Sequence, residues 1–186
     1  MKLRNVKRLL YSEMVDMGGL PVRQPLPTQK VEQIDPFLLL HHHQGRVKPH
    51  SSVRSTGVGP HPHRGFSPVT FVLKGSVHHR DSRGNSSVIH AGGVQWMHAG
   101  RGIVHSERPS KELAEKGGEQ EIIQLWINTP AAHKMEQPEY WAFEAEELPM
   151  HVSEDGKTRV QVIAGRYMDL QGPVKGQSEL LVYRVD

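Results

Sequence analysis

Two histidines flank a proline in the run Gly59-Pro60-His61-Pro62-His63-Arg64-Gly65-Phe66. Proline disfavours helix at the residue before it, so this run is extended. Extended backbone puts side chains at i and i+2 on one face, which brings both imidazoles to the same side. Further along, Gly100-Arg101-Gly102-Ile103-Val104-His105-Ser106-Glu107 sets an imidazole and a carboxylate at the same spacing. Two such pairs on neighbouring barrel strands can converge. Three neutral nitrogens and one oxygen suit a borderline divalent ion such as Fe(II), Mn(II), Ni(II), Cu(II) or Zn(II), and an octahedral ion would keep two positions for water, substrate or O2. The same residues could also close around a purely structural zinc.

The rest of the composition narrows the chemistry. The chain of 186 residues has no cysteine, which removes disulfides, thiolate nucleophiles and Cys-containing zinc sites, so a metal must be held by His, Asp or Glu. Thirteen histidines against three tryptophans and four phenylalanines make His ligation worth following residue by residue. Charge is uneven: residues 1–110 carry 15 Lys and Arg against 6 Asp and Glu, and residues 111–157 carry 4 against 11. The basic residues are dispersed, without runs or interleaved aromatics, which argues against direct binding of nucleic acid. No stretch approaches the roughly 18 consecutive apolar residues of a membrane span. The N-terminus lacks the apolar segment and cleavage site of a secretory signal, so cytoplasmic residence is expected.

The elements that must position the two pairs read as short strands. Val69–Leu73, Ser76–Arg80, Ser86–His90, Val94–His98, Ile103–Glu107 and Glu121–Asn128 are separated by glycine-rich turns, the pattern of a β-sandwich or barrel. Residues 44–60, rich in Pro, Gly, Ser and Thr, read as a loop, and Lys111–Gly118 as a surface loop or a single helical turn. His78 and His79 are adjacent, so only one of them can face a barrel interior. Trp96 and Trp126 are expected in the core, and Arg64 and Arg101 close enough to the ligand pairs to orient a ligand or substrate. Strand-like material returns at Arg159–Ala164 and Leu180–Val185.

His61-Pro62-His63-Arg64-Gly65-Phe66, His79-Arg80-Asp81-Ser82, Gly93-Val94-Gln95-Trp96-Met97, Ala99 to Glu107 and Gln124-Leu125-Trp126-Ile127-Asn128 together resemble the pirin family of the cupin superfamily. The resemblance runs from about Asp35 to the C-terminus. It implies an all-β, double-stranded β-helix (jelly-roll) barrel holding one divalent metal, commonly iron as Fe(II), with His61, His63, His105 and Glu107 as ligands. Three departures stand out. Ser67 and Pro68 occupy the place where a cupin motif carries a Glu. His41, His42 and His43 follow the apolar run Phe37–Leu40 where pirins tend to have an Asp and an aromatic, and these histidines are either spare ligands or, as expected here, surface residues. Pirins usually carry a second barrel, whereas here residues 1–150 make a pirin-type N-terminal domain and residues 151–186 are either the opening of an incomplete second one or a tail covering the first.

The function the resemblance implies is a metal-dependent dioxygenase acting on quercetin-like flavonols or related enolic small molecules, with Glu107 also accepting the substrate proton. The alternative is a non-catalytic, iron-bound co-regulator that docks on a transcription factor and senses redox state. The exposed strand edge of an incomplete second domain would be covered by the tail or in a homodimer.

Overall fold

Val, Ile and aromatic residues alternating with polar ones pack well on a pleated sheet with one buried face, and glycine-bearing turns end most of these runs. A computed structural model of the chain describes residues 5–17 and 19–186. In chain order the strands are β1 (Glu13–Asp16), β2 (Pro21–Leu26), β3 (Phe37–Val47), β4 (Val58–His63), β5 (Phe66–Lys74), β6 (Ser76–Asp81), β7 (Ser86–His90), β8 (Val94–His98), β9 (Ile103–Arg108), β10 (Gly118–Asn128), β11 (Glu139–Phe143), β12 (Met150–Val152), β13 (Arg159–Ala164), β14 (Arg166–Tyr167), β15 (Leu170–Gln171) and β16 (Val182–Val185). Lys111–Lys116 takes the helical of its two expected forms, a short six-residue helix, α1. The Ser110 hydroxyl caps it by accepting the Leu113 N–H at 3.1 Å.

A seven-stranded sheet in the order β1-β2-β3-β10-β5-β8-β11 and a four-stranded sheet in the order β4-β9-β6-β7 form the two walls. The chain crosses between them repeatedly: β3 to β4, β4 to β5, β5 to β6, β7 to β8, β8 to β9 and β9 to β10 each change sheet. This is the jelly-roll barrel expected of the sequence. Gly75 turns the β5–β6 corner with φ +74°, and a Cβ there would lie 2.5 Å from the Glu119 carbonyl oxygen, so both conformation and space demand glycine.

Alternation along each strand separates two cores. Inside the barrel, Val72, Val77 and Ile89 pack with Ile122, and Met97, Ala99 and Ile103 pack with Tyr140. On the outer face of the large sheet, Val69, Trp96 and Ile127 pack with Leu148, Ile163, Ala164 and Val174. That second core ties the segment after residue 148 to the barrel. β12, β13 and β16 form a separate three-stranded sheet there, and β14 pairs with β15.

Two expectations need correction. Residues 44–60 are not one loop, because β3 runs on to Val47 and β4 begins at Val58. His41 and His43 are not surface residues: β3 lies between β2 and β10, so every second side chain on its barrel face is covered, and both are buried. Gln24 Oε1 lies 2.6 Å from His41 Nε2, and the Pro21 carbonyl accepts from His43 Nδ1 at 2.8 Å. Burial lowers the pKa of His41. His42, on the opposite face, is half-buried and bonds Glu121 at 2.9 Å. No helix among the described residues is long and apolar enough to cross a membrane.

Candidate metal centre

β4 and β9 are antiparallel neighbours with His61 directly opposite His105 and His63 opposite Ile103. Pro62 keeps β4 extended, so His63 follows His61 onto the face that His105 shares. The rings of His61, His63 and His105 have centroids 4.5 to 4.9 Å apart. Each offers one nitrogen to a group whose ligand atoms all lie within 4.8 Å of one another. His61 Nδ1 donates to the Gly59 carbonyl at 2.8 Å, which leaves its Nε2 as the lone pair, 3.0 Å from His105 Nε2. His63 Nε2 is buried without a hydrogen-bond partner, a costly arrangement that a coordinated cation would relieve.

Electrostatics favour lone pairs over protons at this cluster. Burial first, then the neighbouring His105 and His61, push His63 down to about 3. Burial likewise pushes His105 down to about 4, against the opposing influence of Glu107. Both are therefore neutral at pH 7, the state in which imidazole binds metal. The donor set and the orphaned nitrogen fit a borderline divalent ion.

Glu107 stands apart from this trio. It lies on the same face of β9 as His105 and is buried, but its oxygens fall outside the group of mutually close ligand atoms. Thr70 Oγ1 on β5 donates to its Oε1 at 2.6 Å, and Gln124 Nε2 on β10 donates to its Oε2 at 2.7 Å. Burial alone would raise its pKa, but His105, Thr70, His79 and Gln124 outweigh burial and lower it. Each oxygen keeps a further lone pair.

The cluster opens into a cavity of about 800 Å³ lined by Phe66, Trp126, Pro62, Ile103 and Val104 together with His61, His63, Glu107 and Gln124. Trp126 is thus a cavity wall rather than a core residue, with its ring 5.1 Å from that of His63 and 4.5 Å from that of Phe66. Trp96, one strand face away, is fully buried in the outer core as expected. Arg64 lies exposed at the cavity rim. Arg101 is exposed and lines no part of it. His78 faces outward to Ser86, while His79 is buried. Thr70 and Gln124 belong to neither of the sequence motifs that point to the metal ligands. Their only signal is their place in the alternation, a polar residue at an inward position of an otherwise apolar strand.

An all-β jelly-roll barrel with three converging imidazoles beside an apolar cavity defines a cupin. A family model described as Pirin matches residues 19–127, and the chain belongs to the pirin family. It is 42% identical over 168 residues, 90% of this chain and 58% of the relative, to a Pseudomonas aeruginosa protein named "Putative quercetin 2,3-dioxygenase PA2418". Pirin-like protein 2 of Arabidopsis thaliana is 38% identical, covering 91% of this chain and 48% of the relative. Among solved structures, a quercetin 2,3-dioxygenase from Acinetobacter baumannii superposes with a TM-score of 0.83 at 39% identity, covering 94% of this chain and 61% of that one. The chain thus spans about half to three-fifths of the length of these proteins.

Proposed function

We propose that the protein is a metal-dependent dioxygenase of flavonols or related enolic molecules, with Fe(II) held by His61, His63 and His105 and with Glu107 as the fourth ligand or the adjacent base. The observation that carries this reading is the convergence of three imidazoles, His61, His63 and His105, beside an open, apolar-walled cavity that His61 and His63 line. The bound cation would supply Lewis acidity to a coordinated enolic oxygen and orient it for reaction with O2.

The chain's own residues account for the remaining requirements. Phe66 and Trp126 offer flat apolar walls against which a planar aromatic ligand loses water. Burial keeps His63 and His105 unprotonated at neutral pH, so a cation need not displace protons from either. Glu107, ionised and held by Thr70 and Gln124, is the acceptor for the proton the enol gives up. The quercetin dioxygenase name of the Acinetobacter structure supports the substrate class.

The test is O2 consumption and carbon monoxide release with quercetin, on protein whose Fe(II) content is quantified in the same sample. Turnover that disappears in His63→Ala is expected. Fully loaded protein that gives no turnover overturns the oxygenase reading and favours the co-regulator that docks on a transcription factor.

A further inference from the structure

β6 carries a third i, i+2 pair, His79 and Asp81, and it is the neighbour of β9 in the four-stranded sheet. The register sets Asp81 opposite His105 and His79 opposite Glu107. Both side chains are sealed from solvent, at 2% and 0% exposure. We propose that His79 and Asp81 are positioning residues that fix the tautomer of His105, so that its Nε2 lone pair faces a bound cation. This rests on the metal reading above and names two residues through which the site is held.

The argument is a count of donors and acceptors. Asp81 Oδ1 accepts the backbone N–H groups of Arg83 and Asn85 at 2.9 and 3.1 Å, and Oδ2 accepts the Asn85 side-chain amide at 2.8 Å. An ionised carboxylate can only accept, so the hydrogen in its 3.0 Å contact with His79 Nε2 sits on the histidine. A neutral imidazole protonated at Nε2 presents Nδ1 as an acceptor. His79 Nδ1 lies 3.3 Å from His105 Nδ1, so His105 donates there and its Nε2 is left bare. That bare nitrogen is the one near His61.

His79 is also held in plane. Tyr140 stacks on it with centroids 4.0 Å apart and planes 11° from parallel, and the Tyr140 hydroxyl is anchored to Ser87 at 2.5 Å. A free His105 ring would sample both tautomers and either flip of the ring. Partners that remove this freedom typically change metal affinity by about 10- to 100-fold. A histidine that merely filled space at position 79 would be replaceable by an aromatic ring of similar size.

The experiment compares wild type with Asp81→Asn and His79→Phe. In zinc-loaded wild type, long-range 1H–15N spectra should show His79 protonated at Nε2 and His105 at Nδ1. Zinc affinity, read by competition with a chromophoric chelator, should fall about 10- to 100-fold in both variants while circular dichroism stays that of wild type. His79 protonated at Nδ1, or unchanged zinc affinity in both folded variants, overturns the relay. If a variant does not fold, the wild-type tautomers decide. Wild type that takes up no zinc overturns the metal reading itself, and the relay falls with it.

Discussion

At the residue scale, the candidate centre works because burial keeps imidazoles neutral. His63 and His105 titrate near 3 and 4 in the folded protein but near the ordinary histidine value of about 6.5 when unfolded. Between those limits the unfolded chain binds more protons, so their contribution to stability is complete above about pH 6.5 and is lost as pH falls toward the folded values. Each histidine contributes a slope of up to about 1.4 kcal/mol per pH unit. Metal-free protein should therefore lose about 4 kcal/mol between pH 7 and pH 5, measured as urea-unfolding free energy. The loss should shrink in the double variant His63→Gln with His105→Gln. Direct removal of a ligand is a separate measurement: His63→Ala or His105→Ala should abolish stoichiometric metal uptake at neutral pH, read by elemental analysis after desalting. Full occupancy in either variant would contradict the ligand assignment.

At the scale of elements, the barrel is a device for bringing spacings together. His61-Pro62-His63 and His105-Ser106-Glu107 were legible because i, i+2 pairs read the same in sequence as in an extended strand. Their convergence depends on β4 and β9 being neighbours, which no local pattern states. The strands β5 to β10 were legible from glycine punctuation and alternation. β3 was not: its polar run His41-His42-His43-Gln44 breaks the apolar rhythm, and only its place between β2 and β10 makes it a central strand. Gln124 and Thr70 were silent for the converse reason, since an inward polar residue is recognisable only when its partner, Glu107, is seen across the barrel. The turn before β9 offers a test of how tightly the elements are set. Gly100 has φ +47°, and a Cβ there would lie 2.3 Å from the Glu136 carbonyl oxygen. Gly100→Ala should cost about 1–3 kcal/mol in chemical denaturation, with weaker metal binding because β9 carries His105. A neutral result would show that the turn can shift freely.

For the whole molecule, the segment beyond residue 148 and the outer face of the large sheet form one core, independent of the site inside. Ile163 is 1% exposed in it. Ile163→Ala should cost about 2–5 kcal/mol in unfolding free energy while leaving metal stoichiometry at the wild-type value. A parallel loss of metal would mean the outer core shapes the barrel interior. Metal should in turn stabilise the whole fold, by about 2.7 kcal/mol when free metal is at 100 times its Kd, visible as a chelator-reversible rise in Tm. The uneven charge along the chain does not shape this site, whose neighbourhood is governed by burial and by the Glu107 and Asp81 carboxylates.

The alternation of β10 has a practical meaning. Gln124 and Trp126 line the cavity, while Leu125 and Ile127 belong to the outer core. One strand is thus written in two interleaved scripts, one addressed to a ligand and one to the fold. Libraries confined to Trp126 can re-tailor the pocket for a different guest while leaving the Gln124 clamp on Glu107 and the Ile122 packing in place, whereas Leu125 and Ile127 are where a thermally hardened scaffold would be sought.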